Sequence, residues 1–164
     1  MIEPSSIVVR SATPDDGPTL GRLGALLVAL HHEFDPQRFV APGPRTEQGY
    51  GSFLVSQLER EDVIVLVAEG GGAVLGYAYA GLEGNDWMAL RGPAGVIYDL
   101  VVDPGRRRGG VGRTLLQAAL GALAERGAPR VLLSTATQNE AAQQLFAAEG
   151  FRPTMVEMTR ERSS

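Results

Sequence analysis

Residues Val96–Leu120, VIYDLVVDPGRRRGGVGRTLLQAAL, decide the architecture. An apolar, β-branched run from Val96 to Val102 stops at Asp103-Pro104. Three consecutive arginines follow, then Gly109, Gly110 and Gly112, and from Leu115 the apolar residues take helical spacing. The pattern predicts a strand, a glycine-rich turn and a helix in direct succession. Such a turn exposes several backbone N–H groups at a helix N-terminus, where orphan donors and the helix dipole both favour an anion. Arg106, Arg107 and Arg108 add charge-assisted donors suited to a di- or triphosphate. Two familiar phosphate patterns fail on these residues. GxxxxGK-Ser/Thr would put Arg107 at its first glycine and Arg113 at its lysine, and GxGxxG from Gly110 would end on Leu115. Nucleotide hydrolysis and dinucleotide binding are therefore disfavoured.

Outward from this segment, the chain reads as one mixed α/β domain over residues 1–164. SIVVRSAT is a first strand, and Pro14-Asp15-Asp16 starts a helix buried along Leu20, Leu23, Leu27 and Leu30. His31 and His32 close that helix. A proline-rich loop leads to Thr46, the expected cap of a second helix running to about Arg60 and buried along Phe53, Leu54 and Leu58. DVIVLVAE is a continuous apolar strand, turned back by GGG into the antiparallel AVLGYAYAGL. After the central segment, Gly127 and Pro129 end the helix. RVLLSTAT is a further strand, a short helix follows with Asn139 as its cap and Gly150 as its stop, and FRPTMVEMTRE is expected as an edge strand.

Composition removes several chemistries. All fifteen basic residues are arginine, so a catalytic lysine or Schiff base is excluded, and the absence of cysteine excludes an acyl-cysteine and thiolate metal sites. The two histidines are adjacent, which argues against a multi-histidine metal centre. A net charge of −4 argues against a nucleic-acid binder. No apolar run approaches the roughly 20 residues of a membrane span, and the N-terminus lacks a signal-peptide pattern, so a cytoplasmic location is expected.

Arg107 to Gly112 fit the pattern Arg/Gln-x-x-Gly-x-Gly/Ala, and here the sequence resembles the GCN5-related N-acetyltransferase (GNAT) superfamily. IYDLVVDPGRRRGGVGRTLL is similar to that family's fourth strand, pyrophosphate loop and third helix. LLSTATQNEAAQQLFAAEGF is similar to its fifth strand and fourth helix, with the Asn-x-x-Ala and closing Gly150-Phe151. The N-terminal IVVRSATPDDGPTLGRL resembles its first strand and helix. The resemblance implies a mostly antiparallel central sheet flanked by helices, with the fourth and fifth strands splayed apart.

It also implies acetyl-CoA as co-substrate of an N-acetyltransferase acting on a small-molecule or peptide amine, with no metal. The pyrophosphate would be held by Arg107, Arg108, Gly109, Gly110, Val111, Gly112 and Arg113, and the pantetheine arm would run along Leu100, Val101 and Val102. Asn139 and Ala142 would line the other side, although Asn139 also reads as a plain helix cap. Many relatives carry an acidic pair on the fourth strand; this chain has Tyr98-Asp99. Asp99 is either the base, acting through a water, or a structural carboxylate. Where many relatives place a tyrosine as general acid, this chain has Phe146. That leaves the leaving thiolate to be protonated by water, by the substrate or by a group such as Tyr98. The acceptor would meet His31, His32, Glu33 and Asp35, with Trp87 nearby. A homodimer is compatible with the family's frequent dimers. The competing function is a non-catalytic acyl-CoA sensor.

Overall fold

The computed structural model of the chain describes residues 6–106 and 109–164. Arg107 and Arg108, expected in the phosphate-binding turn, lie outside the described residues. A five-stranded sheet runs in the order β1-β2-β3-β4-β5, built from β1 (Val8–Ser11), β2 (Val63–Gly70), β3 (Ala73–Glu83), β4 (Ala94–Val102) and β5 (Val131–Leu133). The first four are antiparallel neighbours; β5 joins β4 in parallel. The helices are α1 (Gly17–Phe34), α2 (Thr46–Gln57), α3 (Val111–Glu125) and α4 (Glu140–Ala148). None of the described helices is long and apolar enough to cross a membrane.

The alternation of side chains along the strands feeds two cores. On one face, Ile64, Leu66, Ala78, Ala80 and Ile97 pack against α3, whose Leu115, Leu116, Ala119 and Leu123 are fully buried. On the other face, Val65, Val67, Tyr77 and Val101 meet Leu20 and Leu23 of α1 and Leu54 of α2. Each fully buried leucine contributes roughly 1.5–3 kcal/mol, so α3 is fixed to the sheet by its spacing alone. The β2–β3 hairpin turns at Gly71 and Gly72, whose φ values of 59° and 78° give the left-handed pair a tight turn needs.

Several expectations are corrected. Thr46 is the first helical residue of α2 rather than its cap: Arg45 holds the cap position, and the Thr46 hydroxyl accepts from the Gly43 N–H at 2.7 Å. That helix stops at Gln57, and Phe53 is half exposed, set edge-on against Tyr79 with centroids 5.9 Å apart. The strand expected from Arg130 to Thr137 is limited to Val131–Leu133. The final segment is not a strand. Residues 152–164 are exposed, and among the described residues none of them makes a backbone–backbone hydrogen bond. Pro153 removes one donor, and Arg38 pairs with Glu157 of this segment on the loop after α1 rather than at the sheet.

Candidate active site

The parallel ladder between β4 and β5 covers only Gly95–Ile97 against Val131–Leu133. Beyond it β4 continues along β3 to Val102 while β5 ends, so the two strands part. A cavity of about 280 Å³ occupies the opening. Tyr98, Asp99 and Leu100 line one side of it, and Leu133, Ser134 and Thr135 the other. The last turns of α1 and the loop that follows supply His31 and Phe39, and α4 supplies Asn139, Ala142 and Phe146.

A β-bulge shapes the floor. Tyr79 pairs with Asp99 and Ala80 with Ile97, so Tyr98 is the extra residue on β4. The Tyr98 ring packs on Tyr79 at 4.8 Å, and Asp99 bonds to Tyr77, which lies on the same face of β3. Consecutive residues of β4 thus turn to one side, which plain alternation forbids. Nothing in the local sequence signals this bulge.

Asp99 is 9% exposed. Its Oδ2 accepts the Tyr50 hydroxyl at 2.6 Å and the Tyr77 hydroxyl at 2.8 Å. Burial pushes the Asp99 carboxyl above its ordinary value, against the pull of the two phenols and of His31. Burial and the Asp99 charge push both phenols upward, so they stay protonated and remain donors. Sequence reading singled out neither tyrosine. The Tyr98 hydroxyl donates to Glu83 Oε2 at 2.5 Å, and burial followed by that carboxylate raises its phenol. Glu83 also receives Arg91 at 2.6 Å.

The other expected residues divide. His31 lines the cavity; its Nδ1 lies 2.9 Å from the Leu27 carbonyl oxygen. His32, Glu33 and Asp35 do not line it: His32 Nδ1 sits 3.0 Å from the Phe39 carbonyl, and Asp35 Oδ1 accepts from the Gln37 and Arg38 N–H groups as a loop turn. Trp87 is 78% exposed on the β3–β4 loop. Asn139 caps α4, its Oδ1 accepting from Ala142 at 3.2 Å, and both residues face the cavity.

At the glycine-rich turn, Gly110 takes a φ of 78° and forms the cap position of α3 with no side-chain bond. Among the described residues, none accepts from the backbone N–H of Val111, Gly112 or Arg113. The Arg113 side chain pairs with Glu149 at the end of α4, fixing the two helices beside the turn. Val101 is buried in the α1–α2 core, which leaves only its backbone for a ligand.

A family model for the acetyltransferase (GNAT) family matches residues 27–151. The chain belongs to this family. A mycothiol acetyltransferase from Nocardia farcinica is 30% identical over 96% of this chain and 49% of its own length. A second, from Nocardioides sp., is 37% identical over 51% of this chain and 30% of its own. The chain thus spans half or less of the length of these curated relatives. A GCN5-related N-acetyltransferase from Ralstonia eutropha JMP134 superposes with a TM-score of 0.71 at 26% identity, covering 95% of this chain and 98% of that one. A mutant Bacillus halodurans protein reaches a TM-score of 0.81 at 21% identity over 95% and 99%, a likeness of fold.

Within the GNAT family frame, the expected separation of the fourth and fifth strands is present at β4 and β5. Phe146 borders the cavity with a phenyl ring that packs on Phe151 at 5.9 Å and holds no exchangeable proton.

Proposed function

We propose that this GNAT chain moves an acetyl group from acetyl-CoA to a primary amine by direct attack in a ternary complex. The observation that carries this reading is the parting of β4 and β5 over a cavity with the Asp99 carboxylate in its wall. The residues present suit acetyl-CoA. The uncapped start of α3, entered through left-handed Gly110, offers the N–H groups of Val111, Gly112 and Arg113 to a pyrophosphate. Arg107, Arg108 and Gly109 complete that loop in the proposal. The free side of β4 along Leu100, Val101 and Val102 suits strand-like pairing with the amide-bearing arm. Asn139 and Ala142 form the opposite wall. When bound, acetyl-CoA supplies the activated acyl group; an acyl-cysteine is excluded in a chain without cysteine.

Asp99 places a negative charge where a cationic amine would enter, and Tyr50 and Tyr77 fix its orientation. Tyr98 borders the same cavity, but a proton donor's role at the leaving thiolate requires it to leave Glu83. Of the four residues expected at the acceptor, His31 is the one this reading retains. The relatives named as mycothiol acetyltransferases make a mycothiol-type amine the first acceptor to try. The homodimer remains part of the proposal: β5 is the last strand of the described sheet, and the exposed segment around Met155, Val156 and Met158 suits pairing with that edge of a second copy. Sedimentation of the chain with and without Val156→Lys tests it, a monomer in both counting against it.

Phe146 favours one competing reading, an acyl-CoA sensor without turnover. Calorimetry with acetyl-CoA followed by thiol release over an amine panel separates the two: binding without release supports the sensor, and binding with release the transferase.

A further inference from the structure

The two histidines are both fixed in one tautomer. His31 Nδ1 lies 2.9 Å from the Leu27 carbonyl oxygen and His32 Nδ1 lies 3.0 Å from that of Phe39. A carbonyl oxygen only accepts, so in each neutral ring Nδ1 carries the hydrogen and Nε2 keeps the lone pair. The two part company in their surroundings. His31 lines the cavity, and its ring is held edge-on by Phe34 at 5.8 Å and Phe39 at 5.0 Å. His32 is not in the lining.

Amine attack on a thioester needs a free nitrogen lone pair, and an ammonium must first lose a proton. The cavity offers two acceptors for it. Asp99 Oδ2 is already filled by two phenol hydrogens, which suits a carboxylate that stays in place as a counter-charge. Among the described residues, none donates to His31 Nε2. We propose that His31 Nε2 takes the ammonium proton, while Asp99 holds the ammonium before the transfer and steadies the imidazolium after it. This assignment rests on the acetyl-transfer reading above.

The balance closes without a further reagent. One ammonium N–H bond breaks and its proton goes to Nε2. The freed pair forms the N–C bond at the thioester carbon, and the C–S pair leaves on sulfur. The second amine proton ends on that thiolate, and the imidazolium returns its proton to solvent. The substrate's own proton thereby serves where Phe146 has none to give.

The charged and titratable groups around the ring are few. Asp99 and Tyr98 line the same cavity from β4, with Tyr50 of α2 and Tyr77 of β3 bonded to Asp99. Arg38, next to Phe39, is engaged with Glu157, and His32 and Glu33 follow on the same helix.

The test compares wild type with His31→Asn, whose amide N–H can still reach the Leu27 carbonyl, and with His31→Gln as a second variant. Expected is a fall in kcat of about 100-fold in both, with acetyl-CoA affinity by calorimetry unchanged. Nitrogen-15 spectra of the wild type should show the neutral ring protonated at Nδ1. Rates that stay within about threefold of wild type overturn the assignment, as does a ring protonated at Nε2. Failure of the wild type to release thiol with any amine instead sinks the acetyl-transfer reading, a result the ring spectra do not depend on.

Discussion

A Cβ placed on Gly24 of α1 would stand 2.2 Å from Cδ1 of Tyr50 on α2. The missing side chain is the notch that lets the Tyr50 ring cross α1 and reach Asp99. Gly21 and Gly51 bring the same two helices together, with built Cβ atoms at 2.3 Å and 2.5 Å from backbone oxygens. Helix propensity alone favours Gly24→Ala by about 1 kcal/mol. The clash predicts the opposite sign, a loss of about 1–3 kcal/mol in denaturant unfolding, together with slower acetyl transfer as Tyr50 is pushed off the carboxylate. A stabilised and fully active Gly24→Ala would show that the notch does not position Tyr50.

Asp99→Asn removes the cavity's counter-charge. Its kcat should fall about 100-fold, with acetyl-CoA affinity retained. Stability should move the other way. Because burial raises the folded carboxyl, its contribution is complete below the unfolded value near 4 and is lost as pH rises through the folded value. The asparagine variant escapes that loss. Its unfolding midpoint, compared with wild type, should therefore improve from acid toward neutral pH; a flat difference across that range would contradict the assignment.

Asp16 carries the reverse linkage. Arg10 holds it in a two-pronged pair at 2.8 Å, and the Thr13 N–H adds a bond at 2.7 Å, tying β1 to the start of α1. Arg10 first, with Thr13 adding, holds the Asp16 carboxyl below the usual range. Its stabilisation is present above the unfolded value near 4 and disappears as pH falls through the folded one. Asp16→Asn should cost about 1–2 kcal/mol at neutral pH, discounted for the partly exposed arginine. The gap in urea midpoints should close in acid.

The strand–turn–helix at Val96–Leu120 was legible because its signals are local. β-branched residues, a Pro stop, glycines and a leucine spacing each act within a few residues, and β4 and α3 follow them closely. Asn139 was legible for the same reason, since a cap reaches only three residues ahead. The Tyr50 and Tyr77 contacts to Asp99 were not, because they join residues 49 and 22 positions apart and depend on a bulge. Periodicity says which face is buried, not which polar group it meets there. The last segment misled for a related reason: Met155–Val156–Glu157–Met158 has strand-like composition, but a strand exists only where a neighbour supplies its hydrogen bonds.

Gly112→Glu separates cofactor binding from folding. The built Cβ meets Val102 and Leu145 only at 3.5 Å and 3.6 Å, so the site admits a side chain. A carboxylate in the first turn of α3 should favour the helix dipole by about 0.3–1 kcal/mol, while competing with a pyrophosphate for the same N–H groups. Unfolding should therefore be unchanged or slightly later, and acetyl-CoA binding lost by calorimetry. Retained binding would place the diphosphate elsewhere.

Thiol release from acetyl-CoA over a panel of primary amines, with the acetylated product identified by mass, tests the central claim most directly. Steady turnover that requires an amine, with KM for acetyl-CoA between about 1 μM and 1 mM, is the predicted result. Absence of amine-dependent release across the panel, from a folded chain that binds acetyl-CoA, would contradict it.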